Sequence, residues 1–247
     1  MGMKITDMKS QVRDANRVSV YVDGRFAFGL TVGQVCEMGL KVGAEIGEEK
    51  FEELKQFAEY GKLLQLALEY CLMRERSVKE VKDYLFRKTF SRKLPEYRRK
   101  KGKNGEIVRE VKRDDEGKMV SYEKKGVSAA FAEQVLEALI GKKMVSDERF
   151  VDLWVRNRRS VGGISRRKLA LELMKKGVDQ RLVEQKIAEV FDEQSGERDE
   201  KAEIAKVVAK KARRYEGEPQ KFLAYLVRQG FSFDLAKEAV LEISQKD

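Results

Sequence analysis

The chain has 247 residues, 42% hydrophobic and 38% charged, with 52 Lys and Arg against 42 Asp and Glu for a formal charge of +10. That length suits several small modules, the charge points to a polyanion or an acidic partner surface, and the lack of any histidine excludes Ser-His-Asp, Cys-His and HExxH chemistry. Cys36 and Cys71 form no CxxC and no apolar run reaches the roughly 20 residues of a membrane span; an all-carboxylate Mg²⁺ site stays open, but the densest acidic cluster, Asp114-Asp115-Glu116-Gly117, reads as a turn, so the expectation is a non-enzymatic, cytoplasmic protein with no catalytic or metal-binding residue and no membrane contact.

Residues 1–60 read as a small β-rich module. A first strand is expected from Ile5 to Val12. Val18 to Val22 and Arg25 to Phe28 are β-branched and aromatic, and the Asp23-Gly24 pair between them is a strong hairpin signal. Thr31-x-x-Gln34 has the form of a capping box and opens a short helix ending near Gly39. Glu48 to Glu59 reads as a further helix with Phe51, Leu54 and Ala58 on one face.

From Gly61 onward the pattern is helical and repeats. Leu173-Met174-Lys175-Lys176-Gly177-Val178 aligns with Leu226-Val227-Arg228-Gln229-Gly230-Phe231. Beyond the glycines, Leu182, Val183, Ile187 and Val190 align with Leu235, Ala236, Val240 and Ile243 without a gap. A further copy, from Ser77 to Lys88 and again from Lys125 through Phe131, Leu136 and Leu139, is split by an insertion over Thr89 to Lys124. Each copy reads as three helices. Ser77 and Ser165 are N-caps of the second helix, Glu218-Pro219 opens the third copy's, and Gly177 and Gly230 stand where a left-handed C-terminal cap is needed. The only tryptophan, Trp154, lies on the apolar stripe with Phe150 and Leu153 and reads as a core anchor.

The expected architecture is mainly α, an elongated array of tandem three-helix repeats with a small β-rich N-terminal module and a β-hairpin insertion in the first repeat. The repeats cover 61–142, with the basic insertion at 89–124, then 143–193 and 194–247. Within the insertion, Glu106 to Arg113 and Lys118 to Glu123 are expected to pair across the Asp114 to Gly117 turn.

Two basic stretches are candidate contact surfaces. Arg156, Arg158, Arg159, Arg166, Arg167 and Lys168 crowd a helix end and the next helix start without an acidic residue, a pattern suited to phosphates or an acidic protein face. The alternative there is a solvated connection in which Arg156 pairs with Asp152 one turn earlier. The insertion supplies the second stretch: residues 87 to 125 hold 15 Lys and Arg against 7 Asp and Glu, with Arg98, Arg99, Lys100 and Lys101 in a basic arm ahead of the hairpin. A solubilising loop is the alternative for that stretch.

Several runs resemble a known family. Arg76-Ser77-Val78-Lys79-Glu80-Val81 after an apolar helix, Val145-Ser146-Asp147-Glu148-Arg149-Phe150 leading to Trp154, and Arg228-Gln229-Gly230-Phe231-Ser232-Phe233-Asp234 are similar to the RecX family of recombination regulators. The likeness spans residues 60 to 247 and, more weakly, the N-terminal module; the insertion departs from the family pattern. It implies an all-α repeat design to which no cofactor or catalytic residue belongs. It further implies a protein that binds the RecA recombinase filament on single-stranded DNA and inhibits its recombinase, ATPase and co-protease activities; a monomer is the expected state. A repeat protein that binds DNA or RNA directly is the alternative function.

Overall fold

The computed structural model describes residues 2–12, 14–101, 107–157, 163–191 and 199–244. Contacts divide the chain into two units, Met1–Tyr70 with Lys82–Leu139, and Cys71–Val81 with Ile140–Asp247.

The first unit opens on four strands, β1 (Met3–Gln11), β2 (Asp14–Val22), β3 (Arg25–Thr31) and β4 (Glu45–Ile46), in the antiparallel order β3-β2-β1-β4. Asp23 and Gly24 join β2 to β3 with φ of 48° and 76°, the left-handed pair that a tight hairpin turn requires. The alternation of β2 and β3 puts Val20, Val22, Phe28 and Leu30 into a core with Ile5 and Ile46. Helix α1 (Val32–Glu37) starts with the expected capping box: Thr31 Oγ1 accepts from the Gln34 N–H at 3.1 Å, and Gln34 Oε1 accepts from the Thr31 N–H at 2.9 Å.

Helix α2 differs from expectation. It runs unbroken as Glu48–Leu72, so the helix expected at Glu48 to Glu59 and the first helix of the repeat array are one element. Leu54 and Ala58 close the sheet's core, and Leu63 and Ala67 are buried farther along. Gly61 does not break the helix; it makes room for Gln34, whose Nε2 would lie 2.7 Å from a Cβ there. Tyr70 stacks on Tyr84 of α3 (Val78–Thr89) at 4.2 Å, and Tyr60 meets Phe131 of α4 (Ala129–Gly141) edge-on at 6.2 Å.

The insertion is a ribbon whose pairing also differs from expectation. β5 (Arg92–Pro95) pairs with β8 (Ser121–Lys124), and β6 (Tyr97–Lys101) pairs with β7 (Ile107–Val111). The basic arm, Arg98 to Lys101, is therefore a strand. Glu96, Lys112 and Val120 meet at a three-way junction of backbone hydrogen bonds, 2.7 to 2.9 Å, from which the Asp114 turn projects as a small side-hairpin held by a single Arg113–Met119 bridge. Residues flanking the turn thus mostly pair with the segment before them, because period-2 alternation specifies a face but not a partner. Glu106, the expected hairpin start, lies outside the described residues.

The second unit contains α5 (Asp147–Asn157), α6 (Arg166–Lys175), α7 (Gln180–Val190), α8 (Glu200–Lys211), α9 (Pro219–Arg228) and α10 (Phe233–Ser244). Leu169, Leu173, Val178, Val183 and Ile187 form one core with Phe150, Val155 and Phe191, while their counterparts Phe222, Leu226, Phe231, Ala236 and Val240 form another with Ile204 and Val207. The repeat read from the residues is thus a repeat of core positions. Trp154 packs beside the first of these cores, 5.5 Å from Phe150.

Candidate partner-binding surface

The second helices of the repeats are coupled by the same small device twice. Ser77 accepts from the Glu80 N–H at 3.1 Å and donates its hydroxyl to the Lys176 carbonyl at 2.6 Å. Ser165 accepts from the Lys168 N–H at 3.1 Å and donates to the Gln229 carbonyl at 2.7 Å. Both serines are fully buried. Each therefore caps its own helix and, through the same oxygen, the end of the following repeat's second helix. Gly177 (φ 79°) and Gly230 (φ 95°) follow those carbonyls, with Val178 and Phe231 N–H groups returning to Leu173 and Leu226. An acidic residue from the following repeat's first helix completes each junction: Asp147 Oδ1 accepts from the Val78 N–H at 2.8 Å, and Glu203 Oε2 from the Ile164 N–H at 2.8 Å. Burial pushes the Asp147 carboxyl up, against the Val78 N–H that favours its charge.

Glu80 ties the first junction. Its carboxylate meets Arg74 at 2.9 Å and Lys176 at 2.8 Å. Burial opposes its charge, but the hydrogen bonds and charges of Arg74 and Lys176 prevail and hold its carboxyl at about 2. A carboxyl lowered on folding stabilises above its ordinary value of 4.5 and loses that contribution as the pH falls toward 2. Glu80→Gln is expected to cost about 2 kcal/mol at neutral pH, after discounting for the solvent that screens Arg74 and Lys176. In urea denaturation the gap between parent and variant should narrow below pH 4.5; a gap independent of pH would contradict this role.

The basic candidates fall into different situations. Arg156 is exposed in the last turn of α5, and Asp152 one turn earlier pairs instead with Lys186 at 3.2 Å. Arg158 and Arg159 lie outside the described residues. Arg166, the first residue of α6, is engaged internally: its guanidinium donates to the Phe191 carbonyl, lies over the Phe191 ring and pairs with Glu200 at 3.6 Å. Arg167 and Lys168 are exposed, Lys168 Nζ reaching Gln229 Oε1 at 2.5 Å. Lys168 lines a cleft of about 170 Å³ with Ser165, Tyr225, Gln229, Lys210 and Lys211. The two α8 lysines are missing from the sequence reading because nothing along the chain says that the last turn of α8 faces the start of α6. Arg98 pairs with Glu110 across the ribbon at 3.0 Å. Arg99, Lys100 and Lys101 share its strand, in register with Arg109, Val108 and Ile107. Among the described residues no group of three or more Cys, Asp or Glu forms a metal site, and no helix is long and apolar enough to cross a membrane.

Comparison with known proteins adds sequence to this geometry. Residues 3–47, which hold all of β1 to β4, match the regulatory protein RecX N-terminal domain, and residues 146–187 match the RecX second three-helix domain. A regulatory protein RecX of Bacillus licheniformis is 26% identical over 240 residues, covering 96% of this chain and 76% of the relative. One from Listeria monocytogenes is 24% identical over 245 residues, covering 99% and 77%. A crystal structure of a regulatory protein RecX has the same fold, with a TM-score of 0.59 at 19% identity over 94% of this chain and 96% of that one. Two domain matches in the right order, relatives aligned along nearly the whole chain and a shared fold agree: the chain is similar to the RecX regulatory proteins along nearly its whole length.

Proposed function

We propose that this protein is a cytoplasmic regulator that binds the RecA recombinase filament on single-stranded DNA and inhibits its recombinase, ATPase and co-protease activities. It acts as a monomer and without catalysis of its own. The likeness to the RecX proteins carries this reading, and the relatives similar along almost the full length are themselves regulatory proteins. The geometry supports it through the exposed Arg167 and Lys168 at the start of α6, where Lys168 shares a cleft with Lys210 and Lys211, and through the exposed Arg156 at the end of α5. Fixed cations on short, well-capped helices suit a large acidic filament better than a small substrate. We divide the chain accordingly into a 1–60 module and repeats over 61–142, 143–193 and 194–247, with the second repeat supplying the main contact.

A pulldown of the purified chain with RecA on single-stranded DNA, with RecA alone and with DNA alone, at one salt concentration, tests the partner. Capture several-fold stronger with RecA on single-stranded DNA than with DNA alone is the expected result. Capture by DNA alone at equal strength would overturn the recombinase as the principal partner.

A further inference from the structure

The base of the ribbon gathers charge in a way that folding does not require. In an antiparallel pair, residues in register share a face. One face of β5 and β8 therefore carries Arg92 opposite Lys124 and Leu94 opposite Tyr122, whereas Lys93 faces Glu123 on the other. Two cations directly opposite each other weaken a strand pair.

The end of α3 is fastened to the segment that follows β8. The Val127 N–H donates to the Lys88 carbonyl at 2.9 Å, and Gly126 lies so close to Thr89 that a Cβ would come within 1.8 Å of its carbonyl oxygen. Lys88 sits with its ammonium 4.6 Å from the centre of the Tyr84 ring. Burial first, then the charges of Arg92, Lys124 and Arg87, lower the Lys88 ammonium from its ordinary range. Burial, Lys124 and Arg17 do the same to Lys62 on α2, with Glu59 acting in the opposite sense. The Arg17 guanidinium is held by neutral oxygens, Gln65 Oε1 at 2.7 Å and the Gly29 carbonyl at 3.0 Å. Cations from α2, α3, β5 and β8 thus repel one another at one place, an arrangement that a polyanion relieves.

Flat rings stand beside this charge. Tyr122, on the Arg92–Lys124 face, is 52% exposed, and Phe86 and Phe90, edge-on to each other at 4.8 Å, are 58% and 53% exposed. Exposed rings among cations match unpaired bases, which can stack on them; a duplex, with its bases turned inward, can use only the cations.

We propose that the face formed by Lys62, Lys88, Arg92, Lys124 and Tyr122 binds single-stranded nucleic acid, phosphates on the cations and a base on Tyr122. This site is separate from the basic rim of α6 and does not depend on a recombinase. Its test is fluorescence anisotropy of the full chain with a labelled oligothymidylate and with a labelled duplex, over a range of salt and without RecA.

The parent should prefer the single strand. Arg92→Gln with Lys124→Gln should weaken that binding about tenfold and flatten the slope of log affinity against log salt by about 1.4, two phosphate contacts at about 0.7 each. Lys50→Gln with Lys55→Gln, the same charge change on residues paired with Glu53 and Glu52, should leave it unchanged. Tyr122→Ala should weaken single-strand binding about tenfold and spare the duplex, while Tyr122→Phe keeps the parent's affinity. Thermal midpoints within a few degrees of the parent's establish that each variant is folded. Absence of binding, unchanged affinity in the Arg92 and Lys124 variant, or equal loss in the Lys50 and Lys55 control overturns the site. Equal effects of Tyr122→Ala on single strand and duplex overturn the stacking.

Discussion

Gly230→Ala is expected to destabilise the protein by about 3 kcal/mol, and by less when Ser165 has first been replaced by alanine. At φ 95° a side chain is strained by about 1 to 2 kcal/mol. Its Cβ would lie 2.6 Å from Ser165 Oγ and 3.3 Å from Arg167 Cβ, an overpacking that typically adds about 1 to 3 kcal/mol. The stiffer unfolded chain returns less than about 1 kcal/mol. Ser165→Ala alone removes a cap worth about 1 kcal/mol and strips the Gln229 carbonyl of its donor, for a total of about 2 to 3 kcal/mol. In the double variant the colliding oxygen is gone, so its cost should fall short of the sum by about 1 kcal/mol. Urea denaturation of the four chains measures this. Strict additivity would mean that Ser165 and Gly230 do not press on each other. Gly177→Ala, whose Cβ would lie 2.1 Å from Lys79 Cδ at φ 79°, should also destabilise the preceding junction, there by pressing on Lys79 rather than on the capping serine.

Arg166 and Arg167, adjacent in sequence, are expected to separate stability from binding. Arg166→Glu breaks the bond to the Phe191 carbonyl and sets a carboxylate against Glu200, and should destabilise by about 3 kcal/mol. Arg167→Glu with Lys168→Glu changes two exposed residues and should leave stability within about 1 kcal/mol. The same pair should weaken capture of the RecA filament about tenfold or more, because reversal places two negative charges where an acidic surface docks. Thermal denaturation beside filament co-sedimentation distinguishes the two. If the chain carrying both Arg167→Glu and Lys168→Glu melts early yet binds normally, the α6 rim is a structural feature.

These contrasts show where the residues are informative and where they are not. The register of Leu173 with Leu226 and of Gly177 with Gly230 carries the repeat, because a helix end that needs a left-handed residue restricts composition locally. The hairpin at Asp23-Gly24 and the Thr31–Gln34 box are legible for the same reason. What stays hidden depends on partners distant in sequence. Nothing local says that Ser165 reaches Gln229, that Arg166 is held by Phe191, or that Lys210 and Lys211 line the cleft with Lys168. Gly61 reads as a boundary although α2 runs through it, since the reason for a glycine there is the Gln34 side chain, not the helix. The ribbon's pairing departs from the simple hairpin because four short strands of similar alternation admit more than one partner.

The most direct measurement is RecA's DNA-dependent ATP hydrolysis, followed while this protein is titrated to saturation and its binding to the filament is recorded in parallel. Progressive suppression that tracks binding, and that is lost in the Arg167→Glu and Lys168→Glu chain, is the predicted result. Unchanged hydrolysis on a filament shown to be saturated would contradict an inhibitory role.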